Sequence, residues 1–233
     1  ARNGSAECEP CEAGSYQKEP AATGCQVCEQ GSYCVEGASA PSPCPEGRRS
    51  NASLVMRSVE DCIVCSEGTF CATGSGAETP CAPGTFSNET EAGSCGKCPA
   101  GTFQDQEGAL SCLTCKAGSY CPQGASAALV CPSGTHSDAT NLTAEGECMA
   151  CPEGHACAAG SAEPSPCAAG SHAPLVGAES CDLCEAGSFQ TKTGQAVCDK
   201  CKPGSLCPIG ASLELPASCA PGTFANETDG DGD

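Results

Sequence analysis

Cys95-Gly-Lys-Cys98-Pro-Ala-Gly101-Thr-Phe103-Gln104, running on to Cys112 and Cys115, decides the fold. Two cysteines stand three positions apart, and a glycine follows the second after three more. A hydroxyl residue, an aromatic ring and Gln come next. The glycine marks a backbone turn that a residue with a Cβ resists. Thr followed by Phe suits a short extended strand. The same pattern recurs along the chain, so a repeat is the first thing the sequence specifies.

Two forms of the repeat are legible. The short form, Cys-x2-Cys-x2-Gly-[Ser/Thr]-[Tyr/Phe]-Gln, covers 8–24, 95–111 and 181–197. The long form adds a third and a fourth Cys and a further Cys-x2-Gly, and covers 25–61, 62–94, 112–147, 148–180 and 198–233. They alternate short, long, long, which gives super-repeats at 8–94, 95–180 and 181–233, the last one truncated. Of the 26 Cys, 18 are followed by Gly three positions later, and the other eight each open a Cys-x2-Cys pair. Every aromatic residue, from Tyr16 to Phe224, falls two positions after such a Gly. His136 and His172 occupy that same slot, and His155 precedes it by one. No helical periodicity is visible. The expected fold is a set of small disulfide-rich repeats: an elongated solenoid or rod of short β-hairpins and loops, almost without helix, each touching only its neighbours.

Composition agrees. Among 233 residues, Leu, Ile, Val and Phe number 25, about half of what a globular domain of this size buries. Crosslinks must replace that core. The 29 acidic and 10 basic residues give a net charge of −19, which excludes nucleic acid and anionic lipid as partners. There is no Trp, and base-stacking surfaces are missing. The longest apolar stretches, near Leu54-Val55-Met56 and 127–130, are too short to cross a bilayer, so no membrane insertion is expected within this segment. With no initiator Met or leader at its start, the sequence is expected to be a mature or trimmed segment of a longer chain.

The asparagines specify the compartment. Asn3, Asn51, Asn88, Asn141 and Asn226 are all the Asn residues, and each opens an Asn-x-[Ser/Thr] sequon. At this Ser and Thr content a complete set arises by chance about once in ten thousand. A secreted or cell-surface glycoprotein, extracellular and disulfide-bonded, is expected, with N-glycans at all five.

Two pairing schemes are compatible with the sequence. One joins nearest neighbours: Cys11 with Cys25, Cys28 with Cys34, Cys44 with Cys62, Cys65 with Cys71, Cys81 with Cys95, Cys98 with Cys112, Cys115 with Cys121, Cys131 with Cys148, Cys151 with Cys157, Cys167 with Cys181, Cys184 with Cys198 and Cys201 with Cys207. It leaves Cys8 and Cys219, whose partners are expected outside the segment. The other scheme interlaces, as in Cys8 with Cys25 and Cys11 with Cys28.

Cys8-Glu-Pro-Cys11-Glu-Ala-Gly14-Ser-Tyr16-Gln17, the stretch 95–104 quoted above and Cys181-Asp-Leu-Cys184-Glu-Ala-Gly187-Ser-Phe189-Gln190 resemble the ephrin-receptor-like cysteine-rich repeat. That repeat is similar in style to tumour-necrosis-factor-receptor and EGF-like modules. The resemblance runs from Cys8 to Phe224. It implies an extracellular role, as in receptor stalks and in the long arrays of large protist and algal proteins. The added Cys-x2-Gly loop of the long form departs from the family pattern, and no pairing is carried over from it.

Rival chemistries are weaker. Cys8, Cys11, Cys25 and Cys28 have zinc-ribbon spacing, as do Cys95, Cys98, Cys112, Cys115 and Cys181, Cys184, Cys198, Cys201, but the sequons and the extra cysteines of the long form oppose zinc. Thiol redox catalysis uses Cys-x2-Cys at a helix start, which is not the context here. His136 and His172 fill ring slots, so Cys–His nucleophilic catalysis is not expected. Asp229-Gly-Asp231-Gly-Asp233 alternates like a calcium loop but lacks its closing ligands, and a solvated acidic loop is the preferred reading. No cofactor and no metal are expected. The expected function is that of a non-enzymatic extracellular structural glycoprotein, a disulfide-stapled rod in a filament, appendage or surface coat. It would associate with itself or with other extracellular proteins of the same assembly. The alternative is the stalk or ligand-binding region of a receptor or adhesion protein.

Overall fold

The computed structural model describes residues 8–216. Asn3, Cys219, Phe224, Asn226 and the acidic run 229–233 lie outside them. The described residues form two compact units, one of residues 8–99, 103–113 and 124–127, the other of 100–102, 114–123 and 128–216. Both follow the same local rules.

Among the described residues, 24 strands of two residues pair consecutively into twelve two-stranded sheets. Helix is confined to two 3₁₀ turns, Val59–Asp61 and Glu145–Glu147. One hairpin in the second unit shows how the sequence builds the element. Lys116-Ala-Gly118 turns the chain, with Ser119 N–H donating to Lys116 C=O at 3.1 Å. Gly118 has φ +76°, which is left-handed backbone and explains the glycine. Ser119–Tyr120 then pairs antiparallel with Leu129–Val130, in the register Ser119 to Val130 and Tyr120 to Leu129. Cys131 N–H closes the hairpin onto Gly118 C=O at 2.9 Å. Every described glycine standing three residues after a cysteine has positive φ.

Each hairpin carries one disulfide, in one of two forms. In the wide form the opening Cys bonds a Cys just before the return strand, as in Cys98–Cys112 with a separation of 14 and Cys44–Cys62 with 18. In the narrow form it bonds the residue right after the first strand, as in Cys115–Cys121 with a separation of 6. The remaining wide pairs are Cys11–Cys25, Cys81–Cys95, Cys131–Cys148, Cys167–Cys181 and Cys184–Cys198. The remaining narrow pairs are Cys28–Cys34, Cys65–Cys71, Cys151–Cys157 and Cys201–Cys207. Cys8 is exposed and unpaired among the described residues. A Cys-x2-Cys motif at the end of a wide ring is thus the seam between two hairpins. Cys112 closes one ring and Cys115 opens the next.

Consecutive hairpins exchange two backbone hydrogen bonds. In the first unit, Gly47 N–H donates to Cys71 C=O at 2.7 Å and Gly74 N–H donates back to Cys44 C=O at 2.8 Å. In the second, Gly118 N–H donates to Ser137 C=O at 2.8 Å and Asn141 N–H to Cys115 C=O at 2.9 Å. These bonds satisfy backbone donors and acceptors in the turns and segments that flank the two-residue strands. Contacts also reach the next hairpin but one, beyond the neighbour-only contacts expected from sequence. A Cβ built on Gly31 would lie 2.1 Å from Gly74 carbonyl oxygen, and one on Gly118 would lie 2.2 Å from Gly160 carbonyl oxygen. The bare glycine is what lets these backbones approach.

The core is cystine. Cys44, Cys65, Cys81, Cys98, Cys115, Cys131 and Cys151 are fully buried, whereas Val27, Leu175 and Ile209 are mostly exposed. From the second hairpin on, the slot after the ring is also buried, and its occupant varies with the hairpin. In narrow hairpins it is the second Cys, such as Cys121. In two short repeats it is Gln104 or Gln190, and in the hairpins whose loops carry sequons it is Ser50, Ser87 or Ser137. Gln104 Nε2 donates to Ser111 C=O at 2.7 Å and its Oε1 accepts from Gln106 N–H at 2.9 Å. Gln190 does the same with Val197 C=O at 2.9 Å and Lys192 N–H at 3.0 Å. The side-chain amide serves both backbone groups of a loop that lacks a strand partner.

Candidate functional site

The three described sequons lie on wide hairpins. Asn51 sits within the Cys44–Cys62 ring, Asn88 within Cys81–Cys95 and Asn141 within Cys131–Cys148. A wide ring leaves a long loop between its strands, and that loop is where an Asn side chain meets solvent. Asn88 and Asn141 are exposed, and Asn51 is half-buried. At Asn51 the side chain folds the loop: Oδ1 accepts from Ser53 N–H at 3.0 Å, an Asx-turn. At Asn141 the backbone is left-handed, with φ 65°, which Asn tolerates better than most residues. The following Leu142 is buried and bridges to Tyr120, so the loop is pinned beside an exposed sequon Asn. The three asparagines stand on three separate hairpins.

A groove of about 340 Å³ borders Asn51. Val27, Glu29, Leu54, Val55 and Met56 line it. Met56 is buried with Cys44 and Cys62, and Tyr33 packs against this cluster. The loop is held on its far side by Asp61, whose carboxylate accepts from Arg57 N–H at 2.7 Å and Ser58 N–H at 2.9 Å. Those backbone donors keep the Asp61 carboxyl below its ordinary value. Nearby, Tyr16 is buried and donates to Glu29 at 3.2 Å. Burial first, and then the hydrogen bond to Glu29, pushes the phenol up. Two ion pairs tie one strand of this unit to later loops, Arg48 to Glu91 at 2.5 Å and Arg49 to Glu78 at 3.1 Å.

The cysteine quartets with zinc-ribbon spacing are divided among disulfides. Cys98 bonds Cys112 and Cys115 bonds Cys121, while Cys184 bonds Cys198 and Cys201 bonds Cys207. A sulfur in a disulfide has no thiolate to offer a metal. One further cluster joins His172, Cys184 and Cys198, with ligand atoms all within 4.8 Å of one another. Its two sulfurs are bonded to each other, which leaves the imidazole as its one strong donor. His136 and His172 each bury Nδ1 without a hydrogen-bond partner. Neither stands in a nucleophile–base pair. No described helix is long and apolar enough to cross a membrane.

One feature went unassigned by the sequence pattern, and another, the ring expected over a disulfide or the next turn, gains a specific target. The Gln clamps were visible as the final letter of the short repeat, but nothing in the pattern assigned them a role. The ring slot has a definite target. Tyr33 packs on Cys44–Cys62 and His172 lies at Cys184–Cys198, in both cases the cystine of the following hairpin.

Comparison with known families gives one match. Residues 68–115 and 84–128 match the family described as tyrosine-protein kinase ephrin type A/B receptor-like. A search of curated proteins returned no match. The matched windows include the complete hairpin closed by Cys98–Cys112, and the same disulfide and glycine rules run through the other described residues. Repeats of this type are typically non-catalytic, and with twelve disulfides among the described residues they point to an extracellular or cell-surface location. The chain is an array of disulfide-bonded cysteine-rich repeats, of which residues 68–128 are similar to the ephrin-receptor-like family.

Proposed function

We propose that the chain is a structural segment of an extracellular filament, appendage or surface coat, without enzymatic activity. N-glycans would sit at Asn51, Asn88 and Asn141 and, by the same sequence rule, at Asn3 and Asn226. One observation carries this reading: within each unit, hairpin after hairpin uses the same reciprocal backbone bonds and the same glycine approach. Uniform spacing serves assembly more than it serves a single binding event. Glycans on recurring hairpins and a net charge of −19 keep such a surface hydrated. The partners are further copies or other extracellular proteins of the same assembly.

A second reading, the stalk or ligand-binding region of a receptor or adhesion protein, draws on the groove beside Leu54 and Val55 and on the receptor-type family match. Electron microscopy of native, unreduced material separates the two. Ordered filaments or layers with branching density at Asn51, Asn88 and Asn141 are expected. Isolated molecules, each tethered singly to a membrane or a different domain, would support the second reading against the first.

A further inference from the structure

Among the described residues, one cystine has an imidazole within 4.8 Å of both its sulfurs. His172 brings a ring nitrogen to within 4.8 Å of both Cys184 and Cys198 sulfurs. The equivalent slot over Cys44–Cys62 holds Tyr33, and the hairpin preceding Cys98–Cys112 carries Phe86. His172 Nδ1 is buried and makes no hydrogen bond, so the imidazole is not committed elsewhere through that nitrogen. Cys198 is half-buried, whereas Cys184 is fully buried. An incoming thiol therefore meets Cys198 first.

We propose that Cys184–Cys198 is a thiol-reactive disulfide, exchanged by an external low-molecular thiol or protein dithiol, with His172 assisting departure of the buried sulfur. The thiolate attacks Cys198 Sγ, and a mixed disulfide forms as the Cys184–Cys198 bond breaks. The electron pair of the broken bond leaves on Cys184 Sγ, which takes a proton from the His172 imidazolium. A second external thiolate then attacks the mixed disulfide and frees Cys198. Overall the cystine gains two electrons and two protons, and two external thiols become one disulfide. Exchange rates rise when the leaving sulfur is a better leaving group, and a proton donor beside it has that effect. An imidazole carries a transferable proton near neutrality, which a phenyl ring does not. The inference stands apart from the assembly reading, since it concerns one bond in one hairpin.

Cys98–Cys112 is the matched control. It has the same separation of 14, a buried first sulfur and a half-buried second one. The native oxidised protein is given a limiting dose of dithiothreitol, quenched by alkylation, and the labelled cysteines are mapped by mass spectrometry. Cys184 and Cys198 are expected to label about tenfold faster than Cys98 and Cys112. His172→Phe should bring the two rates together. Phe86→His should speed labelling of Cys98 and Cys112, and it tests the idea even if the first variant fails to fold. Equal rates in the native protein, or an unchanged preference in His172→Phe, would overturn the proposal.

Discussion

Gly118→Ala is expected to unlock three hairpins at once. The position has φ +76°, so a Cβ there costs roughly 1–2 kcal/mol from backbone strain alone. The same Cβ would stand 2.2 Å from Gly160 carbonyl oxygen, a distance that backbone must move to relieve. Overpacking against an inflexible neighbour adds about 1–3 kcal/mol. Gly160 N–H is itself bonded to Cys131 C=O at 2.8 Å, so the displaced turn pulls on an intervening hairpin. Hydrogen exchange should show lost protection at the Gly118, Asn141 and Gly160 amides. Two comparisons isolate the terms. Gly204 has φ +82° and, among the described residues, nothing within 4 Å of a built Cβ, so Gly204→Ala should cost only the backbone term. Gly146 meets nothing within 4 Å and has no positive φ, so Gly146→Ala should be neutral or slightly stabilising. Equal effects at Gly118 and Gly146 would refute the close-approach account.

Full reduction should abolish the fold. The buried set is dominated by half-cystines, and the large aliphatic side chains lie mostly outside. Reduced thiols lose the chain-entropy constraint, worth roughly 3 kcal/mol for a ring near 15 residues. A chain with 25 Leu, Ile, Val and Phe residues has little apolar area with which to recover it. Reduction followed by alkylation is expected to remove amide protection throughout the chain. Removing one wide ring, by Cys131→Ala with Cys148→Ala, should cost about 3 kcal/mol and expose the 135–150 hairpin first. Retained protection after complete alkylation would mean that packing not evident in the structure holds the hairpins.

Much of this was legible in the sequence because it is local. The glycine after each Cys is a backbone requirement, and Gly47, Gly118 and Gly170 all have positive φ. The Ser/Thr-aromatic pair marks the first strand, as at Thr69–Phe70 and Ser119–Tyr120. The frame was harder to see. Cys-x2-Cys is the most conspicuous motif, yet Cys112 and Cys115 belong to different hairpins, because a ring closes just before the return strand and the next opens just after it. Approach between alternate hairpins, such as Gly31 to Gly74, spans 43 positions and depends on superposition in space, which no local pattern encodes. That a ring such as Tyr33 lies over a cystine is expected of the only large apolar group per unit, but which cystine it meets depends on that same superposition. The sequon asparagines were plain in the sequence, but their place on wide rings follows only once the pairing is known.

The account rests most heavily on the hairpin, closed by its own disulfide, as the repeating element. Proteolysis of the unreduced protein at low pH, where disulfides do not exchange, followed by mass spectrometry of the linked peptides, tests this directly. The account predicts Cys98 linked to Cys112 and Cys115 linked to Cys121. Peptides joining Cys95 to Cys112 and Cys98 to Cys115 would contradict it, since each such bridge would staple two hairpins together and leave neither closed on itself.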